Sequence, residues 1–131
     1  MKSAPKKKKS KLPPGETLAG LFATVQHRKR TKPRHSYVAA LIRAGRDAIA
    51  CKLAEETGEV IKAVREQDRT QKVREFCDLF FHAFVLMAHQ NLTFEQLEAE
   101  LSRRHGISGL VEKANRKKKA KKKAKKKRKA K

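Results

Sequence analysis

Five carboxylates lie in the most apolar part of this chain, on two segments with helical periodicity. They are Glu55, Glu56, Glu59, Glu75 and Asp78. Acidic side chains are rarely buried unless they are paired or bound to a cation, because moving an ionised carboxylate out of water costs on the order of several kcal/mol. Their positions therefore point to a metal site.

The spacing of these carboxylates predicts two clusters on consecutive helices. Side chains three or four residues apart share one face of a helix, so Glu56 lies with Glu59, and Glu75 lies with Asp78. The short connection at 66–70 favours antiparallel packing, which brings the two clusters together. Oxygen ligands suit hard cations such as Mg²⁺ or Mn²⁺, and Mg²⁺ usually binds jointly with substrate phosphates. We therefore expect Mg²⁺, with Mn²⁺ as the alternative ion, and a phosphorylated substrate.

The alternative to a metal site is a solvated helical face whose Glu residues pair with nearby Lys and Arg. Two features favour the metal. Asp78 lies within the apolar segment 76–81, and Glu56 interrupts an apolar stripe that runs from Ile49 to Val64. A solvated face of paired Glu and Lys residues would not need a carboxylate within an apolar segment or an apolar stripe.

Helical periodicity of the apolar residues predicts four or five helices, and no segment alternates as a strand does. The first helix is ended by Pro33. A short helix follows Ser36 as its N-cap and ends at Gly45 as its C-cap. Asp47 is the expected cap of a third helix over about 47–66.

The fourth helix follows a turn at 68–70, and its apolar residues cover nearly the whole circumference, which predicts a central, buried helix. A last helix starts at the capping box over 93–96 and ends near His105. Cys51 and Cys77 fit no metal or redox pattern, so we expect reduced core residues. The core is thin for a monomer, so an all-α helical bundle that forms a dimer or a higher homo-oligomer is predicted.

Positive charge is concentrated at the two ends of the chain. The formal net charge is +22, and residues 1–11 and 117–131 together hold 18 of the 35 Lys and Arg. This composition predicts disordered basic tails over 1–16 and 117–131, with an all-α domain over 17–116 between them. The tails either bind nucleic acid or acidic partners nonspecifically or act only as solubilising segments.

The hydropathy pattern favours a cytoplasmic protein without a membrane partner. The longest nearly apolar run, 79–88, is much shorter than the roughly 20 residues that span a bilayer. The N-terminal end is charged but lacks the apolar region of a secretory signal. No membrane insertion is therefore expected.

The spacing of the carboxylates resembles the signature of a known superfamily. Glu55-Glu56-x-x-Glu59 followed by Glu75-x-x-Asp78 is similar to the metal-binding signature of the all-α nucleotide pyrophosphohydrolases, which include the MazG-like enzymes. This resemblance implies an all-α fold and a nucleotide substrate.

Further segments resemble the phosphoribosyl-ATP pyrophosphatases within that superfamily. They are Ser36-Tyr37, residues 52–59, residues 75–82 and residues 100–116. The resemblance covers about residues 18–116. It implies a Mg²⁺-dependent enzyme, dimeric or larger, that hydrolyses phosphoribosyl-ATP to phosphoribosyl-AMP and pyrophosphate in the second step of histidine biosynthesis.

The resemblance also implies roles for individual residues. Glu56, Glu59, Glu75 and Asp78 are the implied metal ligands, and Glu55 is either a further ligand or the base that activates the attacking water. The candidate substrate-binding residues are Lys52, Arg46, Ser36, Tyr37, Arg103, Arg104, Lys113 and Arg116. For Lys113 and each of the arginines, the alternative is a solvated side chain without a substrate contact.

Two other functions stay open on the sequence alone. A house-cleaning nucleoside triphosphate pyrophosphatase shares the metal chemistry and differs only in its base and ribose pocket. A nucleic-acid-binding accessory protein acts through the polybasic tails instead. Ser36-Tyr37 and the segment 103–116 favour phosphoribosyl-ATP as the substrate.

Overall fold

The computed structural model describes residues 16–130, which are mainly helical and contain no β-strand. The helices are α1 (Glu16–Thr31), α2 (Tyr37–Ala44), α3 (Arg46–Glu66), α4 (Arg69–His89), α5 (Phe94–Arg104) and α6 (Gly109–Lys129). The predicted all-α class is confirmed, with one helix more than expected. No helix within this described range is long and apolar enough to cross a membrane. Residues 1–15 of the predicted N-terminal tail lie outside the described residues, and Glu16, its last residue, begins α1.

Two compact units make up the chain, one ending at Phe94 and the other beginning at Glu95. In the first unit, α4 packs against α3, α1 and α2, and α2 also contacts α1 and α3. The second unit contains α6 and nearly all of α5. The domain limits expected at 17 and 116 stay a prediction.

An aromatic cluster holds α1 against α4 in the first unit. Phe22 meets Phe84 edge-on with ring centroids 5.5 Å apart, and Phe94 lies 5.9 and 6.0 Å from these two rings. Burying one such side chain stabilises a fold by about 1.5–3 kcal/mol, so this cluster anchors the unit. The other buried apolar residues are Val25, Val38, Ala39, Leu41, Ile49, Ala63, Val85 and Ala88.

Lys29 ties α1 to the C-terminal end of α4. Its Nζ donates to the backbone carbonyl of Ala88 at 2.6 Å and to Asn91 Oδ1 at 2.7 Å. The last carbonyls of a helix lack intrahelical partners and carry partial negative charge, so a cation is favourable there. Lys29 therefore stabilises the C-terminal end of α4.

The ends of α2 follow the sequence signals. The N–H of Ala39 donates to Ser36 Oγ at 3.2 Å, which confirms Ser36 as the N-cap. Gly45 closes the helix at φ 94°, a conformation that favours glycine. The prediction of Asp47 as the cap of α3 is wrong, because Gly45 serves both helices and α3 already begins at Arg46. Asp47 instead lies in the first turn, where a carboxylate suits the helix dipole.

α4 is not buried around its whole circumference, so that prediction is wrong. Val73, Phe76, Phe80 and Phe84 form one stripe along the helix, at spacings of three and four residues. Phe84 is covered by Phe22 of α1. Val73, Phe76 and Phe80 are 57%, 42% and 48% exposed, because no described residue covers the N-terminal part of the stripe.

The two cysteines are free thiols, but both are exposed, so their predicted core positions are wrong. The inner face of α3 is marked by Ile49, Glu56 and Ala63, which are buried at intervals of seven residues. Cys51 follows Ile49 by two residues and therefore points away from that face. Cys77 lies on α4 beside the uncovered apolar stripe.

α6 continues as a helix through the lysine-rich segment to Lys129. This differs from the disordered tail that composition predicts from residue 117. Ala and Lys are good helix formers, and residues 110–129 contain no Gly or Pro that would stop a helix. The N–H of Val111 donates to Ser108 Oγ at 3.2 Å and caps the start of the helix.

The N-cap of α4 allows a test of what positions this helix. The N–H of Gln71 donates to Asp68 Oδ1 at 2.8 Å. Replacing Asp68 with Ala leaves that N–H without its acceptor, so we expect the free energy of unfolding to fall by about 1 kcal/mol in urea titrations. Asp68→Asn keeps an acceptor oxygen and is the matched control. Equal loss in both variants would show that charge, rather than the cap, stabilises this end.

Candidate metal centre

α3 and α4 bring three of the predicted carboxylates together. One ligand oxygen from each of Glu56, Glu75 and Asp78 lies within 4.8 Å of the other two. Glu56 is buried, Glu75 is half-buried and Asp78 is exposed, so the group extends from the interior to the surface. A site with this gradient is open to a ligand from one side.

The surroundings of Glu56 fit a divalent cation. Glu56 is only 9% exposed, and its neighbours with nitrogen groups are Lys52 Nζ at 3.5 Å and His82 Nδ1 at 3.9 Å from Oε1. One lysine does not offset three adjacent carboxylates, and their repulsion in a partly desolvated site is costly. An all-oxygen donor set of this kind suits a hard cation such as Mg²⁺.

His82 lies between Tyr37 and the carboxylate of Glu56. His82 is buried, and its Nδ1 lies 2.7 Å from the backbone carbonyl oxygen of Asp78. A carbonyl oxygen only accepts, so Nδ1 carries a proton and donates. In the neutral ring Nε2 then accepts from Tyr37 Oη at 3.1 Å. The tyrosine ring also stacks on Phe81 with centroids 6.0 Å apart and is half exposed beside the site.

Gln71 holds the other predicted ligand on α4 and was not among the predicted residues. Its Nε2 donates to Glu75 Oε1, so this carboxylate is oriented before any cation arrives. The sequence does contain a signal for this contact, because Gln71 precedes Glu75 by four residues on the same helix face. Its backbone N–H is the one that Asp68 caps.

Glu55 and Glu59 are exposed and lie outside the group of mutually close oxygens. Lys52 Nζ donates to Glu55 Oε2 at 2.8 Å, and this hydrogen bond holds the pKa of Glu55 below its ordinary value. Glu55 is therefore ionised at neutral pH. The same pair raises the pKa of Lys52, whose ammonium group lies between Glu55 and the buried Glu56.

The structure does not bring Arg46 into the carboxylate group. Arg46 Nε donates to Asp47 Oδ1 at 2.8 Å, and this bond lowers the pKa of Asp47. Ten residues separate Arg46 from Glu56, or about 15 Å along a helix. Ser36, another predicted substrate contact, is buried and uses its hydroxyl as the cap of α2.

The remaining predicted substrate-binding residues lie in the second unit. Glu100 accepts two hydrogen bonds from Arg103 and one from Arg104, all at 2.8 Å, and these bonds lower the pKa of Glu100 to about 2. Arg103 also donates to the buried Glu112 at 2.8 Å, and Arg116 Nε lies 3.7 Å from the same carboxylate. Each arginine therefore already has a carboxylate partner.

Lys113 differs from these arginines, because it forms no ion pair within the described residues and is exposed. A cavity of about 250 Å³ lies along the start of α6, beside Glu112. It is lined by Arg103, Glu112, Asn115, Arg116, Lys118, Lys119 and Lys122. Its lining is strongly basic.

Comparison with known proteins gives a consistent result. A model of the phosphoribosyl-ATP pyrophosphohydrolase family matches residues 18–105. A phosphoribosyl-ATP pyrophosphatase of Nitrosospira multiformis is 48% identical over 102 residues, which cover 78% of this chain and 84% of that protein.

Two further relatives carry the same name. The Chromobacterium violaceum protein is 44% identical over 102 residues, covering 78% of this chain and 94% of its own length. The Neisseria gonorrhoeae protein is 44% identical over 99 residues, covering 76% of this chain and 92% of its own. The shared region is about the length of the whole relative.

The carboxylate group predicts a measurable affinity for a divalent cation. We expect Glu56→Gln and Asp78→Asn each to weaken Mn²⁺ binding at least about tenfold in calorimetric titrations, because each removes one anionic oxygen ligand. Glu66→Gln, which removes an exposed carboxylate from the same helix as Glu56, is the matched control. Unchanged affinity in both site variants, with circular dichroism showing intact helices, would contradict the metal assignment.

Proposed function

The chain belongs to the phosphoribosyl-ATP pyrophosphohydrolase family, and on this basis we propose that Glu56, Glu75 and Asp78 hold Mg²⁺ for its hydrolytic reaction. The reaction of the family is hydrolysis of phosphoribosyl-ATP to phosphoribosyl-AMP and pyrophosphate, so this protein is a hydrolase of histidine biosynthesis. The observation that carries the proposal is the approach of three carboxylates from consecutive helices to within 4.8 Å. Mn²⁺ is the alternative ion.

The chemistry needs charge neutralisation on the polyphosphate and a positioned water. When bound, a divalent cation supplies electrostatic stabilisation of the phosphoryl oxygens. The chain supplies the rest. Lys52 lies beside Glu56 and places a further positive charge at the edge of the site. Gln71 orients the carboxylate of Glu75, and His82 bonds the backbone carbonyl of Asp78.

Glu55 is proposed to accept the proton of the attacking water. Its carboxylate is exposed at the edge of the site and ionised, as a base must be. The hydrogen bond from Lys52 lowers its basicity, and a substrate phosphate that draws Lys52 away reverses this effect. Glu59, one turn beyond Glu56, is proposed to join the ligand set once phosphates are present.

In the first unit, Tyr37 is proposed to contact the nucleotide. Tyr37 offers a half-exposed ring beside the carboxylates. In the second unit, Arg103, Arg104, Lys113 and Arg116 form a cationic group suited to phosphate oxygens. The family match favours phosphoribosyl-ATP over a simple nucleoside triphosphate, so the house-cleaning activity is not the proposed one. A cytoplasmic location fits this biosynthetic role.

We also propose a homodimer in which a second copy of this chain covers the apolar stripe of α4. Phe76 and Phe80 are exposed on that stripe, and Ile61 and Val64 of α3 are each 50% exposed near the same end of the α3–α4 pair. Apolar patches of this kind mark interfaces, and a thin single-chain core gains most from covering them. The lysine-rich segment is proposed to add affinity for polyanions without a part in hydrolysis.

The dimer predicts a change of mass in solution. Phe76→Glu with Phe80→Glu places two carboxylates in the apolar stripe, so we expect the protein to sediment as a monomer, because burying those charges is unfavourable. Leu18→Glu, at an apolar residue of α1 that is 43% exposed, is the control and should keep the wild-type mass. A wild-type protein that is monomeric at all concentrations would overturn the proposal.

The reaction is tested by pyrophosphate release with Mg²⁺, offering phosphoribosyl-ATP beside ATP, dCTP and dUTP at equal concentration. We expect strong preference for phosphoribosyl-ATP in the wild type. Glu56→Gln should lower kcat at least about a hundredfold, because electrostatic stabilisation of the phosphoryl group is the largest part of such catalysis. Preference for a simple triphosphate would show that the nucleotide assignment is wrong, and full activity of Glu56→Gln would show that the metal assignment is wrong.

A further inference from the structure

α6 carries a run of positive charge that has no acidic partner. Residues 117–129 contain eleven Lys and Arg and no Asp or Glu. Within the described part of the chain, none of these eleven side chains forms an ion pair, whereas Arg103 and Arg116 both approach Glu112. The charge of this half of α6 is therefore available to an outside partner.

The charge density of this helix matches that of duplex DNA. At 1.5 Å per residue, residues 117–129 extend over about 20 Å, which gives one cation per about 1.8 Å. Duplex DNA carries one phosphate charge per about 1.7 Å of helix axis. A helix of this length can thus neutralise a comparable length of duplex.

The shape and chemistry of α6 favour B-form DNA over other polyanions. The major groove of B-DNA is about 12 Å wide and admits an α-helix, whereas that of double-stranded RNA is deep and narrow. α6 has no aromatic residue, so it cannot stack on unpaired bases. After Val111 its only apolar residues are alanines, so it lacks the apolar face that enters a membrane surface.

The basic surface continues to the N-terminal half of the helix. The cavity of about 250 Å³ beside Glu112 is lined by the side chains of Arg116, Lys118, Lys119 and Lys122, and by Arg103 of α5. Glu112 orients Arg103 through a hydrogen bond of 2.8 Å, and Arg116 Nε lies 3.7 Å from the same carboxylate. A phosphate that enters this cavity meets several donors at once.

The helix is weakened by its own charge until a polyanion is bound. Seven pairs of cations lie four residues apart within 117–129, and like-charged pairs at this spacing destabilise a helix. Phosphates that neutralise these pairs remove the repulsion. Binding of DNA should therefore increase the helical content of the chain.

We propose that α6 binds B-form duplex DNA through its phosphates and without reading the base sequence. This inference rests on the polyanion affinity proposed above and names duplex DNA as the polyanion. It is tested separately from hydrolysis, because none of residues 117–129 is proposed above to bind metal or nucleotide. The affinity is electrostatic and therefore falls steeply with salt.

The test is fluorescence anisotropy of a labelled, random-sequence DNA duplex titrated with the full chain over a series of NaCl concentrations. We compare the wild type with a variant in which four lysines of α6 become Gln, which keeps helix propensity. They are Lys121, Lys122, Lys125 and Lys126. If all four lysines neutralise phosphates, the slope of log Kd against log salt should fall by about 3 to 4. At low salt, Kd should rise at least about tenfold.

A control variant that loses the same number of charges outside α6 separates the effect of α6 from the effect of the net charge. Four exposed cations at the end of α1 and in the loop after it become Gln in the same way. They are Arg28, Arg30, Lys32 and Arg34. If α6 is the DNA-binding segment, this control variant should keep most of the wild-type affinity and most of the slope of log Kd against log salt. Equal losses in the two variants would mean that overall charge, rather than α6, binds DNA.

Competitors identify the class of partner. Duplex DNA should compete better, per phosphate, than single-stranded DNA, double-stranded RNA or vesicles containing phosphatidylserine, and circular dichroism should show added helix with duplex DNA. Stronger competition by any of the other three overturns the duplex assignment. Equal competition by inorganic polyphosphate or by an acidic polypeptide leaves polyanion affinity intact but overturns the choice of DNA. Neither result bears on pyrophosphate release, which is measured without DNA.

Discussion

Repulsion between carboxylates is the constraint on which the rest of this structure depends. Glu56, Glu75 and Asp78 approach within 4.8 Å, and Glu56 is almost fully buried. Hydrophobic packing alone does not favour such a group, because desolvated like charges oppose folding. In the proposed site, a cation and the phosphates of a substrate replace the lost solvation, so the fold has to hold the three carboxylates in place.

Several contacts of the first unit serve this purpose. The aromatic cluster around Phe84 and the bond from Lys29 to the end of α4 fix that helix against α1. Asp68 fixes the other end of α4. Between these anchors, Gln71 orients the carboxylate of Glu75, and the buried His82 bonds the backbone carbonyl of Asp78 and the hydroxyl of Tyr37. The site is therefore oriented by the scaffold rather than assembled by the ligand.

Local patterns in the sequence predict much of this arrangement, since caps and helical spacing act within a few residues. Ser36 and Gly45 mark the two ends of α2 as expected. Three of the five predicted carboxylates, Glu56, Glu75 and Asp78, come together as the antiparallel pairing of α3 and α4 requires, whereas Glu55 and Glu59 do not. What local patterns do not reveal is which face of a helix finds a neighbour. Phe76 and Cys77 are residue types that usually lie in a core, but both are exposed. The helix through 117–129 forms because the helix propensity of Ala and Lys outweighs the repulsion between the lysines.

The most direct test of the central claim is thermal unfolding of the wild type and of Glu56→Gln, each with and without Mg²⁺. If the carboxylates repel one another and share a cation, Mg²⁺ raises the Tm of the wild type, because a ligand that binds only the folded state stabilises it. Glu56→Gln should match or exceed the metal-free wild type in Tm and show a much smaller Mg²⁺ shift. A metal-free variant that is clearly less stable than the wild type, with an undiminished Mg²⁺ shift, would contradict the account.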